Sequence, residues 1–106
     1  MQRGEAKKIS QHNAKLIDNF TTSLRLDRSL SNNTIDAYEA DIYKLHSYIE
    51  DRPLSKVEPA EITSFLSYII DLGLNPRSMA RVISGLKTFY KYLVISEIVP
   101  NNPLQN

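Results

Sequence analysis

Four stretches of the chain carry their apolar residues at the three-and-four spacing of a helix face. Leu16, Phe20 and Leu24, with Ile17 beside them, predict a first helix over roughly Ala14 to Asp27. Ile35, Tyr38, Ile42, Leu45 and Ile49 form a second stripe, and Ser31 just ahead of it is an N-cap whose hydroxyl can accept a first-turn N–H. Pro59 opens a third helix that runs through Leu72 and is closed by Gly73. Its Ile62, Phe65, Leu66, Ile69 and Ile70 make a wide apolar face, expected to be well buried. Asn75 and Pro76 cap and start a fourth helix, which ends near Ser96 before Asn101, Asn102 and Pro103 break it. RPLSKVEP links the second helix to the third. The first thirteen residues have no apolar period and read as a flexible leader.

Composition agrees with an all-α reading and narrows the function classes. A chain of 106 residues is one domain's worth, and three Gly with five Pro leave little turn chemistry for a many-stranded protein. The absence of Cys excludes disulfide staples, thiolate metal sites and a thiol nucleophile. No run approaches the ~20 apolar residues that span a bilayer, and the N-terminus lacks the apolar core of a signal peptide. The expectation is a cytoplasmic domain with no membrane partner.

Charge is what singles out a surface. The formal net charge is only +1, yet residues 1–35 carry six bases against three acids, residues 36–71 three against eight, and residues 72–106 four against Glu97 alone. A near-neutral total therefore does not argue against a polyanionic partner, because a folded domain presents faces and not averages. Around the fourth helix at 100° per residue, Met79, Val82, Ile83, Leu86, Phe89, Tyr90 and Leu93 share one face. Arg77, Arg81, Ser84, Thr88 and Lys91 share the opposite one, flanked by Ser78 and Gly85. That ridge offers donors without opposing acids, suited to phosphate oxygens and base-edge acceptors, and its glycine would let a surface come close. A basic face that only meets solvent is the plain alternative. On the second helix Asn33, Ala37, Ala40, Lys44 and Ser47, with Thr34 near the start, make a small, polar, flat face, although Asp36 at its edge would repel phosphate.

The segments LSNNTIDAYEADI, LNPRSMARVISGLKTFYKYLV and NNP, in that order, resemble the N-terminal core-binding domain of tyrosine recombinases, the Xer and phage-integrase group. The resemblance covers roughly Leu16 to Pro103. It implies a SAM-like bundle of four to five helices over residues 14–100 that forms one arm of a clamp on duplex DNA, with the second and fourth helices toward the major groove. It implies DNA contacts from Asn33, Thr34, Lys44, Arg77, Ser78 and Arg81, to which the ridge adds Ser84, Thr88 and Lys91. Arg77, near the helix start, is expected to reach base edges, and Asp41 to orient neighbouring side chains. Tyr38, Phe89 and Tyr90 are expected to pack the bundle.

The chemistry of that family belongs to a second domain that supplies a Tyr nucleophile and an Arg, Lys and His set around the scissile phosphate. Here His12 is followed three residues later by Lys15 and His46 by Ile49, so no His-x-x-Arg occurs. Residues 101–106 resemble the exit toward such a domain. The expectation is a fragment that binds the core site of recombination without cutting it and takes no cofactor or metal. Its partners would be duplex DNA, the catalytic domain of the same parent and other protomers on that DNA. A helical protein-interaction module, docking an acidic partner on the basic fourth helix, is the alternative. An unrelated hydrolase is disfavoured by the lack of any acid–base or nucleophile constellation.

Overall fold

The computed structural model describes residues 9–105, which form four α-helices and no strand. These are α1 (Gln11–Asp27), α2 (Asn32–Tyr48), α3 (Pro59–Asp71) and α4 (Pro76–Ile95), with one 3-10 turn, Leu54–Lys56, between α2 and α3. The all-α expectation holds. Local chemistry sets most ends: the Ser31 hydroxyl accepts from the Thr34 N–H, and the Asn75 side chain accepts from the Ser78 N–H at 2.9 Å, with Pro76 at the first helical position. Beyond α3, Gly73 takes φ +99°, a left-handed backbone that favours glycine.

The first helix begins three residues earlier than its apolar period predicts. Ser10 caps it by accepting from the Asn13 N–H, and Asn13 is wholly buried. Its Nδ2 donates to the carbonyls of Asp51 and Arg52 and to the Asp51 carboxylate, while its Oδ1 accepts from the Leu54 N–H at 2.8 Å. Those partners lie about 40 residues away in sequence, so a search for local periodicity takes Gln11–Asn13 for leader. Residues 1–8 of the expected leader lie outside the described residues.

The apolar stripes of the four helices meet in one core. Phe20 of α1 sits edge-on to Phe89 of α4 at 5.2 Å between ring centres, and Phe89 meets Tyr90 in the same way at 5.0 Å. Tyr90 is buried with its hydroxyl donating to the Leu54 carbonyl, which ties the 3-10 turn to α4. The broad face of α3 is buried only in part. Ile62, Phe65 and Ile69 point inward, Leu66 is half-buried, and Ile70 lies on the outer side, 54% exposed. Five apolar positions in nine span more of the helix circumference than one packing interface can cover. After α4 the chain turns at Glu97 (φ 62°), buries Val99 and runs back along the helix, where the Asn102 amide donates to the Lys87 carbonyl.

Candidate nucleic-acid interface

Contacts between α2 and α4 set the geometry of the polar faces. The Tyr38 hydroxyl is 3.0 Å from Ser84 Oγ, and Asp41 is bound to Arg81. Three residues forward on α2 are thus three residues back on α4, so the helices run antiparallel. Continued by the same count, this register sets Lys44 level with Ser78 and Thr34 level with Thr88. The candidate residues are thereby ordered along the helix pair, with Asn33, Thr34 and Thr88 toward one end and Lys44, Arg77 and Ser78 toward the other. From Arg77 to Lys91 the seam is about 21 Å long at 1.5 Å per residue.

Close approach of the helices depends on Gly85. A Cβ built there would stand 2.8 Å from Tyr38 Cδ1, below any normal contact. This corrects the expectation that Gly85 admits an outside surface: the surface it admits is the α2 ring of Tyr38, which is buried as expected. The apolar side of α4 extends round to Gly85, and the outward line is displaced away from α2. Arg77, Ala80, Ser84, Lys87, Lys91 and Ile95 are the exposed positions of that line, while Ser78, Arg81 and Thr88 sit half-buried beside α2. Lys87 is exposed on that line and joins the candidate residues. Sequence spacing alone placed it off the ridge because the contribution of α2 to burial could not be seen.

Arg81 is not the unopposed donor that the ridge suggested. Its Nε donates to Asp41 Oδ2 and its Nη2 to Asp41 Oδ1, both at 2.8 Å, and Lys44 Nζ donates to the same Oδ1 at 3.0 Å. The Asp41 side chain has no exposure, whereas those of Arg81 and Lys44 keep 38% and 45%. Hydrogen bonding to Asp41 raises the pKa of the guanidinium further above its ordinary range. Sequence reasoning assigned Asp41 an orienting role; the side chains it holds are Arg81 and Lys44.

Other polar groups are engaged as well. Thr88 Oγ1 donates to the Ser84 carbonyl at 2.8 Å, and Thr34 Oγ1 accepts from the Ser31 hydroxyl. Asp36, the acid that would repel phosphate, is met by Arg25 Nη2 at 3.0 Å, and Arg25 Nη1 also donates to Asn32. Arg25 was not among the predicted residues, because it acts from α1 across a turn. No acid lies within ion-pair distance of Arg77, Lys87 or Lys91 among the described residues. The two acids on this face are thus each covered by a base, and three cations on its outer line are not.

The described residues hold no group of acidic, His or Cys side chains arranged to take a metal, and no helix long and apolar enough to cross a membrane. His46 is buried and bonded at 2.7 Å to Asp51, and His12 is bonded to Ser55. Burial pushes the hydroxyl pKa of Tyr90 and Tyr43 upward, the opposite of activation as a nucleophile.

An all-α bundle with a basic seam between two antiparallel helices is the class that fold and site define. The chain belongs to the family of the phage integrase N-terminal SAM-like domain, whose pattern it matches over residues 17–97. Its relatives include tyrosine recombinase XerD of Listeria innocua, 36% identical over 93 residues that cover 84% of this chain and 31% of that protein. XerD of Pseudomonas putida is 33% identical over 90 residues, 83% of this chain and 30% of that protein. XerC of Leptospira interrogans is 33% identical over 87 residues, 79% of this chain and 28% of that protein. The chain thus spans less than a third of the length of these relatives. No solved structure matches it with comparable significance.

Proposed function

We propose that this chain binds duplex DNA with the α2–α4 seam and serves as the core-binding part of a site-specific tyrosine recombinase. The observation that carries the reading is the charge arrangement on the seam: Asp36 and Asp41 are each covered by a base while Arg77, Lys87 and Lys91 are uncovered. A line of cations about 21 Å long suits a phosphate backbone, and a major groove about 12 Å wide admits one helix, so the polar side of α2 or of α4 can enter it while the other lies against the groove edge. Membership in the integrase family and the recombinase names of its relatives support the same reading. Asn33, Thr34, Ser78, Ser84 and Thr88 add neutral donors and acceptors along the seam. The partners in this reading are the DNA core site, a catalytic domain and further protomers.

Salt dependence tests it. Arg77, Lys87, Lys91 and the net single positive charge of Arg81, Lys44 and Asp41 would neutralise about four phosphates. The logarithm of the binding constant for a duplex should then fall with the logarithm of salt at a slope of about −3.6, roughly a hundredfold loss from 50 to 200 mM. A flat response would remove phosphate neutralisation from the account and favour docking to a protein.

A further inference from the structure

A guanidinium has two edges that can make a two-point contact, one through Nε and Nη2 and one through Nη1 and Nη2. Asp41 occupies the first edge of Arg81 with two bonds of 2.8 Å. Because this carboxylate has no exposure and also holds Lys44, turning the guanidinium would break both bonds and leave a buried charge short of partners. The second edge remains, on a side chain still 38% exposed at the seam.

Charge decides what that edge suits. Asp41 cancels the charge of Arg81 at contact distance, so Arg81 adds little to counterion release, which drives phosphate binding. Bonding to the O6 and N7 acceptors of guanine depends on direction more than phosphate binding does, and a guanidinium fixed from behind supplies direction. Arg77 has no such brace, and its charge, like those of Lys87 and Lys91, is uncancelled.

We propose that Asp41 is a positioning residue that fixes Arg81 as the guanine reader of the seam, while Arg77, Lys87 and Lys91 hold phosphates. The inference rests on the DNA-binding reading above and moves base recognition from Arg77, where sequence placed it, to the next turn of α4.

The test is selection by the 106-residue chain from a pool of duplexes randomised at the centre, followed by affinity measurements on the selected and unselected duplexes. Wild type should enrich guanine at a fixed position. Arg81→Lys keeps the charge and can keep a bond to Asp41 but lacks the fork. Its preference for selected over unselected duplex should fall roughly 5- to 150-fold. Asp41→Asn should show the same loss of preference while binding the unselected pool more tightly, with a salt slope steeper by about 0.9, because the charge of Arg81 is released. A residue that merely held the fold would weaken both affinities together. Should Asp41→Asn melt below the working temperature, Asp41→Glu replaces it; the carboxylate is then displaced by one methylene, and the preference must fall again. Selection of the same guanine at an unchanged ratio by Arg81→Lys would overturn the inference and leave DNA binding standing, as would a wild type that enriches no position. A wild type that binds no duplex would overturn both.

Discussion

Asp41 accepts from Arg81 and Lys44, two cations whose side chains extend from the buried carboxylate to solvent. Asp51, ten residues on and just past the end of α2, accepts instead from the Ser10 backbone N–H at 3.1 Å, the Asn13 amide at 3.0 Å and His46 Nε2 at 2.7 Å. The first arrangement leaves donors pointing out of the molecule. The second has its donors turned inward, joining the start of α1 to the turn after α2. One residue type thus braces a surface in one place and closes the bundle in another, and the donors around it decide which.

Reversing Arg81 should strike the brace at Asp41 and the proposed DNA contact at once. Arg81→Glu places a second carboxylate against the unexposed Asp41, so it should destabilise the fold by about 3 kcal/mol as well as abolish duplex binding, read by thermal melting and fluorescence anisotropy. From the sequence alone Arg81 looks like a surface residue whose reversal leaves stability nearly unchanged; a variant with wild-type melting would restore that view and remove the brace.

At the other aspartate, Asn13→Ala should cost about 2 kcal/mol, because it strands the buried Leu54 N–H and removes the donor to three acceptors. Duplex affinity, measured well below the melting point, should stay close to wild type, since none of the bonds of Asn13 goes to a candidate DNA-binding residue. A loss of affinity without a loss of stability would mean that the two aspartate sites are not separate.

A smaller effect distinguishes Asp51 by pH. The Ser10 N–H, then the Asn13 amide and then His46 hold its carboxyl at about 2, below the ordinary 3.8. A carboxylate with a depressed folded-state pKa contributes stability above its unfolded value and loses it as pH falls through the folded one. Melting temperature should therefore drop between about pH 4 and pH 2 more steeply in wild type than in Asp51→Asn. Parallel curves in that window would show that the latch does not depend on the charge of Asp51.

The four helices were legible in the sequence because caps and apolar periods are local: Ser31, Pro59 and Asn75 with Pro76 mark starts that the structure keeps. The candidate residues could also be read as two polar faces, and the α2–α4 register fixes their order along the helix pair. What stayed hidden depends on distant partners. Asn13 looks like leader because its bonds reach the turn after α2, and Arg81 looks free because Asp41 is 40 residues away. Gly85 looks like an opening to the outside because the Tyr38 ring that fills it belongs to another helix. Ile70 had the hydropathy of the core, but hydropathy does not say how much of a helix its neighbours can cover.

The claim that α2 and α4 together face DNA is tested most directly by titrating the isotope-labelled chain with a short duplex and following its backbone amides by NMR. The account predicts the largest shifts at Asn33, Thr34, Lys44, Arg77, Ser84, Lys87 and Lys91, with little change on the outer side of α3 around Ser67 and Ile70. Shifts concentrated on α3, with the seam unmoved, would contradict it.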